Sequence, residues 1–353
     1  MIQDRIRRAR LLKGMSLDEV AQSLGDITKQ GVSKFELGDA IPNSTRILQL
    51  ARLFGVKPEY FFRPESVELA PLEFRKRAKM PMKRQTQVAE QIRDHLERYV
   101  ALERCFESAE IGQEPVASHG LHVNSAEEAE HAAQTLRTQW EIGTDAVSHL
   151  AELLEEHGVK VMLIDGPEDF DGACAATADQ QHVLIALNGN RPGERIRFTA
   201  AHELGHWVMA LPQDMPDKEQ ESCCHRFAGA FLYPKERVLM EFGEHKRSRV
   251  FAGELLNAKR RYAVSMQMVL RRLKDLGLLT EAGYKSAYFE FSTQGWRRQE
   301  PEPFPAERPH RFESLVFRGL AEDLFTPSRA AEFLQIRLDQ LEPALKIGIA
   351  ETA

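Results

Sequence analysis

Four cysteines in 353 residues (Cys105, Cys174, Cys223 and Cys224), with no C-x-x-C pair, are too few to frame a disulfide-built domain. Long apolar runs are missing as well. The stretches at 183–187 and similar places fall far short of the roughly 20 residues that cross a bilayer as a helix. The opening MIQDRIRRARLLKGMS is charged from its fourth residue and holds no apolar segment of the secretory kind. These absences exclude a disulfide scaffold and a helical membrane protein, and the expectation is a cytoplasmic chain. What is present, 42% hydrophobic and 28% charged residues, is ordinary globular composition, and the length suits two or three domains.

The net charge of -6 conceals an asymmetry. Residues 1–104 hold 20 Lys+Arg against 14 Asp+Glu, and the rest holds 27 against 39. A basic third on an acidic body suggests that one end meets a polyanion. The helix pattern there points the same way. Residues 4–13 form a basic helix with Ile6, Ala9 and Leu12 on one face, followed by Ser16-Leu-Asp-Glu19, a capping box. The helix it opens carries Leu17, Val20, Ala21 and Leu24 and stops at Gly25; Thr28 caps a second helix over 29–36, with Val32 and Phe35 inward. A further amphipathic helix (Ile47, Leu50, Ala51, Phe54) closes a bundle near Gly55. Two short helices joined by a tight turn inside such a bundle fit the DNA-reading motif.

Residues 4–62 resemble the phage-repressor (XRE, or Cro/cI-like) helix-turn-helix family. The resemblance rests on R-x-R-x-A-R-x-x-K-G-x-S-x-x-E-x-A, then V-S-K-F-E-x-G, then a proline and A-R-x-F-G-V. It implies that the helix beginning at Lys29 enters the major groove of a double-stranded operator. Lys29, Gln30, Ser33 and Lys34 would then form its exposed side. Gln30 suits a bidentate base contact and the lysines base or phosphate contacts. One helix reads too few base pairs for specificity, so a homodimer on paired half-sites is expected. The same fold also serves as a protein-interaction module.

Residues 63–84 hold three prolines and a basic run, RKRAK at 75–79, that suits either the DNA backbone or solvent. A long helical pattern runs to about Ser108 (Ile92, Leu96, Tyr99, Val100, Leu102, Phe106), as a spacer or a pairing surface. Helices are expected near 125–140 and 145–157. After Gly158 the period changes to strands at 159–164 and 182–187, with 171–177 a strand or edge between them.

A helix then carries His202-Glu203-x-x-His206. Four residues are about one helical turn, so both imidazoles project from one face and can hold one Zn²⁺ at about 2.0–2.1 Å. Glu203, turned roughly 100° away, misses the metal yet reaches the water that the metal activates. A catalytic zinc wants a third protein ligand. Glu221 is the candidate, because Phe227, Ala228, Phe231 and Leu232 give its helix an apolar face; Glu219 competes. His225, one turn past Glu221, suits a ligand-orienting or substrate-contacting role, or packing. Tyr262 and His225 are candidates for stabilising the oxyanion, although Tyr262 also reads as a packed tyrosine before the helix that Ser265 opens. The segment at 171–177 can hold an extended substrate as an added strand. Cys174 reads as a core residue or as a thiolate that approaches the metal.

These residues resemble the ImmA/IrrE family of zinc metallopeptidases. The match runs from R-x-R-F-T-x-A-H-E-L-G-H through E-x-x-x-x-x-F-A-x-x-F-L-x-P to R-R-Y-A-V-S-M-Q and G-W-R-R-x-E-P, covering about residues 125–303. It implies His202, His206 and Glu221 as zinc ligands and Glu203 as general base. This chain departs from the pattern at His225, where the family usually has Asn, and at Ala210, where it often has His.

The resulting expectation is an α+β chain, mostly helical with a small sheet. Residues 1–63 are the helix-turn-helix domain, 64–124 a basic linker and helical connector, 125–300 a zincin-like metallopeptidase domain, and 301–353 a Pro-rich break and helical C-terminal region. Function is expected as a transcriptional regulator, of phage- or stress-related kind, whose peptidase cleaves a repressor, an antitoxin-like partner or itself. The alternatives are a transcription factor or antitoxin whose zinc domain is a non-catalytic sensor or scaffold, and a housekeeping peptidase localised by its first domain.

Overall fold

The computed structural model describes residues 2–63, 67–70, 80–106 and 116–345. The fold is mostly helical with two small sheets, as the sequence predicts. It divides into two compact units, Met1–Gly112 with His310–Ala353, and Gln113–Pro309. This differs from the division drawn from sequence: residues 301–309 belong to the second unit and the helices after them to the first. The basic run at 75–79 lies outside the described residues. Among the described residues no helix is long and apolar enough to cross a membrane.

The first unit opens with α1 (Ile2–Leu12), α2 (Leu17–Leu24), α3 (Lys29–Leu37) and α4 (Ser44–Phe54), followed by a 3₁₀ turn at Pro58–Phe62. Local chemistry sets the boundaries. Ser16 and Glu19 form the reciprocal capping box, while Thr28 and Asn43 accept from the amides of Gly31 and Arg46. Gly25 ends α2 in the left-handed region at φ 77°, a conformation most side chains resist. Ile6, Ala9, Val20, Val32, Leu50 and Phe54 fill the core. Each large aliphatic or aromatic side chain so buried contributes about 1.5–3 kcal/mol.

The helix α5 (Met82–Glu103) is no free spacer. Glu97 takes Arg5 and Arg8 of α1 at 2.5 and 2.9 Å, and Lys83 meets Glu19 at 3.0 Å. Its other side carries the helices Arg311–Ala321 and Pro327–Phe333, and the last helix, Leu338–Leu345, packs on Pro327–Phe333. Tyr99, Leu102 and Phe106 share a core with Leu315, Val316 and Phe333, and the buried Arg98 donates to the Phe333 carbonyl at 2.5 Å.

In the second unit a three-stranded sheet has the order β2-β4-β3, with β2 (Val159–Ile164) parallel and β3 (Gly172–Ala176) antiparallel to the central β4 (Val183–Asn188). The helix Gly193–Val208 follows β4 and packs on β3 and β4. The helix Asp217–Leu232 lies against it and against Ala126–Gln139. After the first helix, β5 (Met209–Ala210) pairs in parallel with β1 (Leu121–His122), which ties down the chain beyond His206.

The stretch that read as a Pro-rich break straps the Gly193–Val208 helix. Gly193 donates to the Phe304 carbonyl at 3.0 Å, and a Cβ at Gly193 would fall 2.2 Å from the Pro305 carbonyl oxygen, so only glycine fits. Arg197 bonds Glu307, whose other oxygen accepts the amides of Leu150 and Ala151 and so caps the Leu150–Glu156 helix. Lys259, fully buried, lies between Glu194 at 2.6 Å and Glu300 at 3.1 Å. Glu300 also accepts the amides of Met266 and Gln267 at the start of the Met266–Asp275 helix. The R-R-Y-A-V-S-M-Q and G-W-R-R-x-E-P segments thus build the frame that orients the helix bearing His202.

Candidate functional site

The two helices meet closely at Gly205, between Glu203 and His206. A Cβ there would lie 2.9 Å from the Phe227 ring of the Asp217–Leu232 helix, and Phe227 is fully buried. The apolar face of Phe227, Ala228 and Phe231 drives that helix into the core, and Glu221 arrives beside the two histidines.

Three ligand atoms converge. His202 Nε2 and His206 Nε2 lie 3.0 Å apart, and the Glu221 carboxylate oxygens lie 3.3 Å from His202 Nε2 and 3.5 Å from His206 Nε2. Tetrahedral ligands on bonds of about 2.0–2.1 Å stand about 3.3–3.4 Å apart, so the residues fit a zinc ion. The donor set fits too: facing lone pairs of two neutral imidazoles repel unless a cation or a proton lies between them. The nearby nitrogens of His202, then of His206, hold the Glu221 carboxyl far below the usual carboxylate range. Glu219 stays exposed. His206 is oriented by Cys224, whose Sγ is 3.0 Å from Nδ1. That thiol is buried, and it is the polar partner of His206.

Glu203 is held by backbone. The Cys174 amide of β3 donates to Glu203 Oε2 at 3.0 Å. The reason lies in the register. The bonds Asn188 N–H to Asp171 O and Thr177 N–H to His182 O pair 171 with 188 and 177 with 182, so residues 172, 174 and 176 turn their amides to the free edge of β3. The sequence foresaw an edge strand here but not its grip on the carboxylate. Cys174 itself is half-buried against the main core.

His225 and Tyr262 part company. His225 is exposed, with Nδ1 2.6 Å from the Glu221 carbonyl, its ring stacked on Phe198 and 4.6 Å from the His202 ring. It therefore stays beside His202 and Glu221. Tyr262 does not: it is buried, its ring lies 4.1 Å from that of Tyr233, and its hydroxyl donates to Glu241 at 3.2 Å. Tyr233 ends the helix that carries Glu221, twelve residues or about 18 Å further along. Burial followed by the charge of Glu241 pushes the Tyr262 phenol up to about 12. The oxyanion role expected of Tyr262 is corrected accordingly: it is a core residue.

In the first unit Val32 is buried, and Lys29, Gln30 and Lys34 are exposed on α3, while Ser33 is half-buried. Lys29 pairs with Asp18 at 2.7 Å; Gln30 and Lys34 have no side-chain partner among the described residues. Thus α3, capped at its start by Thr28, presents a polar face.

Comparison with known proteins gives each unit a relative. Residues 154–274 match the family described as IrrE N-terminal-like domain, and residues 6–61 match the family described as Helix-turn-helix. A curated relative is the SPbeta prophage-derived uncharacterized HTH-type transcriptional regulator YonR of Bacillus subtilis (strain 168), 33% identical over 63 residues. That alignment covers 18% of this chain and 57% of the relative, so the chain spans little more than half the length of the protein it matches. His202, His206 and Glu221 lie inside the second matched stretch and α3 inside the first, so one part of the chain is similar to a helix-turn-helix domain and the other to an IrrE N-terminal-like domain.

Proposed function

We propose that this protein is a DNA-binding transcriptional regulator whose second unit is a zinc-dependent endopeptidase acting on a regulatory protein: a repressor, an antitoxin-like partner or the chain itself. The observation that carries the reading is the meeting of His202, His206 and Glu221 ligand atoms at 3.0–3.5 Å. His202, His206 and Glu221 would hold the ion, and when bound it supplies Lewis acidity to a water and to a peptide carbonyl. Glu203 accepts a proton from that water at its carboxylate and passes it to the departing amine. The Cys174 amide keeps Glu203 in place, and the free edge of β3 suits an extended substrate paired as one more strand. His225, with Nδ1 2.6 Å from the Glu221 carbonyl and its ring 4.6 Å from that of His202, stands close enough to meet the charge that develops on the scissile carbonyl oxygen.

The DNA reading draws on Gln30 and Lys34 free on α3, with Lys29 and Ser33 at its margins. Exposed Leu37, Ile41 and Leu48 (69, 83 and 47% exposed) in the same bundle suit a homodimer. A sensor or scaffold without turnover needs no base, and the held Glu203 favours a working enzyme over it. Glu203→Gln tests this directly. It should keep zinc and reduce cleavage of proteins encoded beside this one by about 10²–10⁴-fold. Unchanged cleavage, or an unchanged regulatory phenotype in cells, would assign the second unit a non-catalytic role.

A further inference from the structure

A cleft of about 740 Å³ opens beside the metal ligands, and Glu221 and His225 are part of its wall. The wall is basic: eight lysines and arginines face four aspartates and glutamates. The unit around it is acidic, with 22 Lys+Arg against 30 Asp+Glu in residues 113–309. The sign therefore reverses at the cleft.

Many of these cations are only partly neutralised. Arg191 and Arg195 share Asp171, Arg226 and Arg272 share Glu130, and Arg271 takes Asp275. Lys218, Arg297 and Arg298 are exposed and have no carboxylate partner among the described residues, while Arg297 lies over the Tyr288 ring at 4.7 Å. Unpaired cations in a concave wall focus a positive field, and guanidinium forks match carboxylates. Phe198, Met268 and Trp296 add apolar surface for neighbouring side chains.

We propose that this cleft receives an acidic stretch of the substrate protein next to the scissile bond, so that aspartates and glutamates on the substrate select it. The proposal rests on the peptidase reading and names its substrate class. The occupant is a peptide rather than a nucleic acid because the cleft is continuous with the metal ligands and carries apolar side chains between its cations.

The test uses the full-length, zinc-loaded Glu203→Gln protein, so that turnover does not confound binding. Three fluorescein-labelled peptides of about a dozen residues, alike except for four Glu, four Gln or four Lys, are titrated by anisotropy at low and moderate salt. The Glu peptide should bind at least about tenfold tighter than the Gln peptide and weaken as salt rises. Arg297→Glu with Arg298→Glu should lose about tenfold or more of that affinity with zinc content and circular dichroism unchanged. Lys218→Ala should lose a smaller part. Equal binding of the Glu and Gln peptides, or charge reversal without effect in a folded zinc-loaded protein, overturns the proposal. So does tighter binding of a single-stranded oligonucleotide of matched charge. Absence of zinc from the parent breaks the peptidase reading instead, and lost charge selectivity in a zinc-loaded protein breaks this one alone.

Discussion

In the first unit the side chains that would touch a ligand, Gln30 and Lys34, stand in solvent and are placed only by the backbone of a capped helix. In the second unit the Cys174 amide holds Glu203 and the Cys224 thiol meets His206 Nδ1, so a strand edge and a second helix brace side chains of the candidate site. The contrast follows from the chemistry. A groove supplies most of the geometry when a helix enters it, so a reader needs a rigid backbone and free side chains. A metal ion and a reacting bond tolerate errors of about half an ångström, so a hydrolytic centre needs every side chain braced.

Four substitutions sharpen or break that contrast. Glu203→Gln, already described, should have the largest effect. Cys224→Ala comes next: it removes the partner of His206 Nδ1 and should weaken zinc about 10–100-fold in a chelator competition, with the fold retained. Unaltered affinity would mean that His206 needs no brace. Gln30→Ala should lower selectivity for an operator, once identified, by about tenfold at one position, which is about 1.4 kcal/mol, and leave thermal stability alone. A loss of stability instead would show that Gln30 works within the bundle.

Glu130→Gln should have the smallest effect. Burial pushes the Glu130 carboxyl up, but hydrogen bonds and charge from Arg272 and Arg226 outweigh it and hold the group below its ordinary 4.5. Its stabilisation is therefore complete above pH 4.5 and is lost as pH falls through the lower folded value. The variant should melt about 2–4 °C lower at pH 7, the equivalent of about 1 kcal/mol, and the gap should shrink in acid. A gap that grows in acid would reverse the sign of the argument.

Legibility in the sequence followed the range of each interaction. The helices of the first unit were readable because Ser16, Glu19, Thr28 and Gly25 act within four residues of themselves. His202, Glu203 and His206 were readable because a helix repeats in one turn, and Glu221 because an apolar face adjoined it. The Cys174 amide on Glu203 was not, since it depends on strand register. Nor was the Glu194–Lys259–Glu300 cluster, whose members lie 65 and 41 residues apart. Proline content made residues 301–309 look like a break, yet Phe304 and Glu307 make them a strap. The second face of α5 was hidden for the same reason: Arg98 finds its carbonyl 235 residues away.

Elemental analysis of the full-length protein, purified without added metal and compared with its Glu221→Ala variant, bears most directly on the account. One zinc per chain in the parent and a large loss in the variant, with circular dichroism preserved, is the expected result. A parent free of stoichiometric zinc under metal-replete growth, or a variant that keeps its full share, would contradict it.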